Sequence, residues 1–207
     1  MDGVKLQDRI SRGMGVAARR LGTPYTVYRP VAANAPLSSR NGIITLYAAF
    51  NAGDDGFRRP QGYGQAVWWG IYDAAYTQAG DYLSGTAGIF FVASQLPLLP
   101  VECIKTNRVL MVARSSPVVA GGYSGLVATG SETVLAGWPA SVLSLNTRIS
   151  GSLPETRFGN WSVLLPALPV APQIADIVTD DTGRIFVVGA AEQSDLGWRL
   201  VVREVAG

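Results

Sequence analysis

The sequence predicts a mainly β protein: two tandem small antiparallel modules, each a barrel or sandwich, preceded by one N-terminal α-helix. Three observations lead there. The stretch "DYLSGTAGIFFVA", starting at Asp81, returns 95 residues later as "DIVTDDTGRIFVV" from Asp176, and self-similarity at long spacing marks a repeated unit. A helical period stands out only before Gly22. Charged residues are 15% of the 207-residue chain and hydrophobic residues 48%, whereas an ordinary soluble domain carries roughly 25% charged residues, so much of the surface is expected to lie against neighbouring subunits.

The helix belongs to an arm over residues 1–24. Leu6, Ile10, Met14, Ala17 and Leu21 share one helical stripe, while Lys5, Arg9, Arg12 and Arg19 share another, with Arg20 as a fifth cation. Gly22 and Pro24 end it, and Gly13 and Gly15 each weaken it by about 1 kcal/mol relative to alanine. Such a basic amphipathic helix either docks on an adjacent subunit or packs on its own barrel. The five cations are the candidate protein-interaction residues.

The first β module is expected over 25–114. "TPYTVYRP" (23–30) and "GIITLYAAF" (42–50) are rich in β-branched and aromatic residues. An aromatic-led strand at Trp69 follows, then the Asp81 hairpin, then a strand "NRVLMVAR" closed by Arg114. A second, smaller module over 155–207 repeats this order, matching Trp161 with Trp69, Gly183 with Gly88, Phe186 with Phe91, Val187 with Val92 and Arg203 with Arg114. Gly183 sits where the hairpin turn calls for positive φ. Residues 115–154, rich in glycine and serine and poor in charge, read as a connecting region.

The chemistry available is restricted. The chain has no histidine, which removes the Ser-His-Asp and Cys-His systems and histidine-containing zinc sites. Its one cysteine, Cys103, can form neither an intrachain disulfide nor a multi-cysteine metal site, and reads as a small buried hydrophobe. Asp73, Asp81, Glu102, Glu132 and Glu155 are scattered, and nothing pairs them for carboxylate catalysis. Asp176, Asp180 and Asp181 do not have the spacing of a calcium loop and read as a solvated hairpin turn. "GMG" (13–15) and "GYG" (62–64) lack the rest of a phosphate-loop pattern. No catalytic, cofactor or metal residue is expected, and the chain reads as a non-enzyme. Tyr63, Trp68, Trp69 and Tyr72 would suit a sugar-stacking face, or else strand burial.

The net charge of +2 conceals an asymmetry: residues 1–60 hold nine Lys/Arg against four Asp/Glu, and residues 61–207 hold eight against eleven. Opposite signs at the two ends can orient head-to-tail contacts. No run of 18 apolar residues and no signal-peptide core occurs, so the chain is expected to be made and used without a secretory route.

Three stretches together carry a resemblance: "LQDRISRGMGVAARRLGTPYTVYRP", the module from "GDYL" through "FFVASQLPLLPVECIKTNRVLMVAR", and "WSVLLPALP" followed by "DIVTDDTGRIFVVGAAEQSDLGWRLVVRE". They resemble virion proteins of tailed bacteriophages and prophages, most closely head-tail connector or neck proteins. The resemblance implies a virion component made in the host bacterial cytoplasm. It also implies a homo-oligomeric ring that contacts the portal or neighbouring tail proteins and surrounds a DNA channel. The duplication departs from single-barrel connectors and leaves open a longer neck or tail component or a capsid cement protein, while the aromatic cluster leaves open a tail-associated carbohydrate-binding module.

Overall fold

The computed structural model describes residues 3–52, 66–118, 127–145 and 159–205. One helix, α1 (Gly3–Leu21), precedes twelve strands among the described residues. Strands β1 (Thr23–Tyr28), β2 (Gly42–Ala52), β3 (Val67–Ile71), β4 (Tyr82–Gly85), β5 (Gly88–Ser94) and β6 (Val101–Lys105) close into one antiparallel barrel. Strands β7 (Arg108–Val118), β8 (Val127–Ser144), β9 (Asn160–Leu165), β10 (Ile177–Asp180), β11 (Ile185–Ser194) and β12 (Gly197–Val205) close into a second. The mainly β fold with one leading helix and two barrels agrees with the sequence reading.

The barrels share one topology. Going round the first, the order is β1-β2-β3-β6-β5-β4, and the second, counted from β7, runs through its own six strands in the same order. Register makes the equivalence residue by residue. Val27 faces Leu83 as Val112 faces Val178, and Trp68 faces Cys103 as Trp161 faces Val202. The repeat is therefore real, but several sequence matches shift. Trp161 corresponds to Trp68, not Trp69. Phe186 corresponds to Phe90, and Val188 to Val92, because the Asp180–Arg184 turn is one residue longer than the Gly85–Gly88 turn. Gly183 does adopt positive φ, at 83°.

The expected boundaries move as well. Arg114 does not close the first module: it lies on the opening strand of the second barrel, where it corresponds to Arg29. The region expected to connect the modules over 115–154 supplies the end of β7 and all of β8, so the second barrel spans Arg108–Val205 and is no smaller than the first. The true junction is Thr106–Asn107. Asn107 fixes it by donating to the Val142 carbonyl and accepting from the Val142 amide at 2.9 and 2.8 Å.

Strand alternation explains the scarcity of charge. In β4, β5 and β6 one set of side chains (Leu83, Phe90, Val92, Cys103) fills barrel 1, and the alternate set (Tyr82, Phe91, Ile104) points outward yet belongs to the core shared with barrel 2. These strands are apolar on both faces because barrel 2 covers the outer one. Inside barrel 1, Phe50 stacks on Phe90 at 3.8 Å and Tyr25 meets Phe50 edge-on. Between barrels, the buried Tyr82 hydroxyl donates to the Pro139 carbonyl at 2.7 Å. The β1–β2 connection also reaches over: the Trp138 indole donates to the Ala33 carbonyl at 2.6 Å.

Two of the three aspartates read as a solvated turn are buried. Asp180 is 5% exposed and Asp176 1%; Asp181 alone is exposed. The Asp180 carboxylate accepts from the Thr182 amide and hydroxyl and from the Arg184 amide and guanidinium. Burial by itself would raise its pKa, but the hydrogen bonds from Thr182 and Arg184 outweigh that and hold it below the ordinary carboxylate value. A depressed value means that Asp180 contributes stability above the unfolded-state pKa of about 3.9 and loses it as pH falls through the folded value. Asp180→Asn is expected to lower Tm near neutrality and to shrink the Tm difference between neutral and acid solution, as read by thermal melts across pH.

Candidate interaction surface

α1 packs on its own barrel, against β2, β3 and the 3-10 turn Ala74–Tyr76. The face it buries is not the stripe of Leu6, Ile10, Met14, Ala17 and Leu21. Ser11 and Ala18 are the buried residues, and Gly15 sits so close to Asp73 that a Cβ there would lie 2.9 Å from the Asp73 Cβ. Small side chains let the helix approach the strands closely, and that places the larger apolar residues on its flank. Leu6 stays 36% exposed and Leu21 72%. The Gln7 side chain accepts from the Leu98 amide at 2.7 Å, which holds the β5–β6 loop against the helix with Leu96, Leu98 and Leu99 all more than half exposed.

The cations lie on the opposite flank. Lys5, Arg12 and Arg19, spaced by seven, form one edge, with Arg9 and Arg20 beyond it, and all five are exposed. Arg12 and Arg19 border a groove of about 640 Å³ whose other wall includes Tyr47, Asp73 and Tyr76. Tyr47 is 47% and Tyr76 52% exposed. This groove can take an acidic segment, with guanidinium forks for its carboxylates and aromatic faces for its apolar parts.

Several candidates from the sequence have structural roles. Cys103 is fully buried, and burial raises its thiol to about 12, which leaves it unreactive. Tyr72 is buried with its hydroxyl 3.9 Å from the Cys103 sulfur, so it is absent from any sugar-stacking face. Trp68 is half-buried under the Lys105 ammonium, 5.1 Å from the ring; Tyr63 and Glu155 lie outside the described residues. Asp73 caps the 3-10 turn through the Ala75 amide. Glu102 lines an apolar cavity of about 270 Å³ between the barrels, together with Phe91, Leu165 and Trp198.

The most specific polar feature escaped the sequence reading. Arg29 grips buried Asp81 through two hydrogen bonds of 2.8 and 2.7 Å, and Arg114 grips buried Asp176 through two of 2.8 Å. Donating to the aspartate raises the pKa of each guanidinium. Each aspartate also accepts from the amide three residues earlier, Gln78 or Gln173. The same fork at the same place in both barrels clamps the first strand to the fourth. Its sequence signal was Val-x-Arg at the opening strand, Val27 to Arg29 and Val112 to Arg114, paired with Gln-x-Gly-Asp in one barrel and Gln-x-Ala-Asp in the other.

Comparison with known protein families, curated proteins and solved structures finds no match to this chain. No helix among the described residues is long and apolar enough to cross a membrane.

Proposed function

We propose that the chain is a non-enzymatic virion structural protein of a tailed bacteriophage or prophage, assembling as a homo-oligomeric ring in the head-tail connector. The observation that carries this reading is the state of α1: docked on its own barrel by small residues, it still offers a cationic edge on one flank and an apolar flank beside Leu96, Leu98 and Leu99 on the other. An amphipathic element that keeps both kinds of surface exposed suits a contact with another subunit or with an acidic portal or tail surface. The buried aspartates support a structural role, since guanidinium groups and turn amides engage them in holding strands together.

The test is charge reversal on the helix. Arg9→Glu/Arg12→Glu protein is expected to keep its β spectrum and thermal stability, because neither side chain is buried, yet to fail to incorporate into particles in a complementation assay. An exposed pair contributes only about 0 to 1 kcal/mol, but a ring repeats the loss in every subunit. Incorporation and titre equal to wild type at physiological salt would contradict the reading.

A further inference from the structure

In barrel 1 a row of outward side chains, Tyr28–Tyr82–Phe91–Ile104–Val67, crosses five strands. It is sealed by barrel 2: Tyr82, Phe91 and Ile104 are 0%, 1% and 5% exposed. Register places the equivalent row of barrel 2 at Ala113–Ile177–Val187–Arg203–Asn160. The adjoining row there is Met111–Thr179–Ile185–Val205. This face is open. Met111, Ile185 and Val205 are 41%, 40% and 44% exposed, and Ile177 and Val187 are only half-buried. Met111 stands where barrel 1 has Thr26, so the face of barrel 2 is the more apolar of the two in a row that meets solvent.

The other half of the intrachain contact also has an open counterpart. Barrel 2 covers barrel 1 through Trp138 and Pro139 on β8. Pro139 lies opposite Val109 as Tyr47 lies opposite Pro24, which makes Tyr47, exposed beside the basic groove, the counterpart of Pro139 on barrel 1. One copy of the chain therefore carries, on barrel 2, an exposed face equivalent to the one sealed on barrel 1 and, on barrel 1 beside α1, an exposed Tyr47 where barrel 2 has Pro139.

We propose that the outer face of barrel 2 around Met111, Ile177, Ile185 and Val187 receives barrel 1 of a second copy of this chain through its Tyr47 edge. The inference rests on the ring reading above and supplies the surface for it. Two features favour a second copy. The equivalent face within the chain is already filled by a barrel of the same strand order, and residues 1–106, which form α1 and barrel 1, hold ten Lys/Arg against seven Asp/Glu while residues 107–207 hold seven against eight, so head-to-tail contact brings a net positive and a slightly negative half together. The contact is heterologous, and such contacts close into rings when the rotation between subunits permits.

The experiment uses three variants of the full chain, with sedimentation velocity as readout. Met111→Glu/Ile185→Glu spoils the face, and Tyr47→Glu spoils the edge. Each alone is expected to weaken association at least tenfold with an unchanged circular dichroism spectrum, whereas an equimolar mixture forms two-chain species, since each partner keeps one working half. The third variant, Thr179→Cys, reports without disrupting. Cys103 is buried, so maleimide labels the introduced thiol alone, and labelling is expected to slow at least tenfold in the assembled protein compared with dilute monomer. If wild type assembles but the face and edge variants assemble equally well, or the Thr179→Cys protein labels freely within the oligomer, the surface is wrong and the ring reading stands. If wild type is a monomer at every concentration, both fall. Should a glutamate variant misfold, the labelling result decides.

Discussion

Arg29→Met is expected to destabilise the protein by about 3 kcal/mol, because it leaves the Asp81 carboxylate, 1% exposed, buried without its counter-charge. For a chain of this size that corresponds to a fall in Tm of roughly 6–12 °C. Methionine keeps most of the aliphatic stem, so the loss reports the guanidinium rather than packing. Arg114→Met is expected to do the same to Asp176 in the second barrel. Arg29→Lys should recover only part of the loss, since an ammonium cannot make the two parallel bonds of the fork. The double variant Arg29→Met/Asp81→Leu should be more stable than Arg29→Met alone, because the orphaned charge is gone. Thermal and urea melts of the set measure this, and a single-variant loss below about 1 kcal/mol would show the fork to be worth no more than a surface pair.

Gly197→Ala has the other large expected effect. Gly197 opens β12 at φ 115°, and a Cβ there would press on the Leu165 carbonyl oxygen and lie 3.0 Å from Pro166 backbone atoms. Those neighbours are main chain and cannot move aside independently, so strain in φ and a steric clash coincide. A loss of about 3 kcal/mol is expected, at the upper end for strained backbone positions. Gly183→Ala is the control. Its φ is 83°, but nothing lies within 4 Å of the added Cβ, so only the conformational cost of about 1–2 kcal/mol applies. Equal losses in the two variants would mean that the packing at Gly197 is looser than these distances indicate.

These positions also show how far the sequence can be read. The Asp81 and Asp176 hairpins are legible because a turn glycine, a β-branched run and a phenylalanine recur in order, and the helix is legible because its period is unmistakable and Gly22 ends it. The boundary between barrels is not. A linker is recognised by composition, and this one is only Thr106–Asn107, short because the barrels pack directly on each other. With no linker to mark the division, "NRVLMVAR" reads as a closing strand, and Arg114 aligns with Arg203 when its true counterpart is Arg29. The helix face misleads for a related reason. A stripe of larger apolar residues signals burial against an open core, but the outer wall of a finished barrel offers only a shallow surface, and Ser11, Gly15 and Ala18 fit it more closely. Buried Asp176 and Asp180 read as solvated because their arginine partners come from other strands or across the turn, where sequence spacing carries little information.

Native mass spectrometry of the intact chain over a range of concentrations tests the central claim most directly. A discrete closed multiple of the 21.9 kDa subunit is expected, one that persists on moderate dilution and dissociates in the Met111→Glu/Ile185→Glu variant. A 21.9 kDa species alone, at every concentration and at physiological salt, would contradict it.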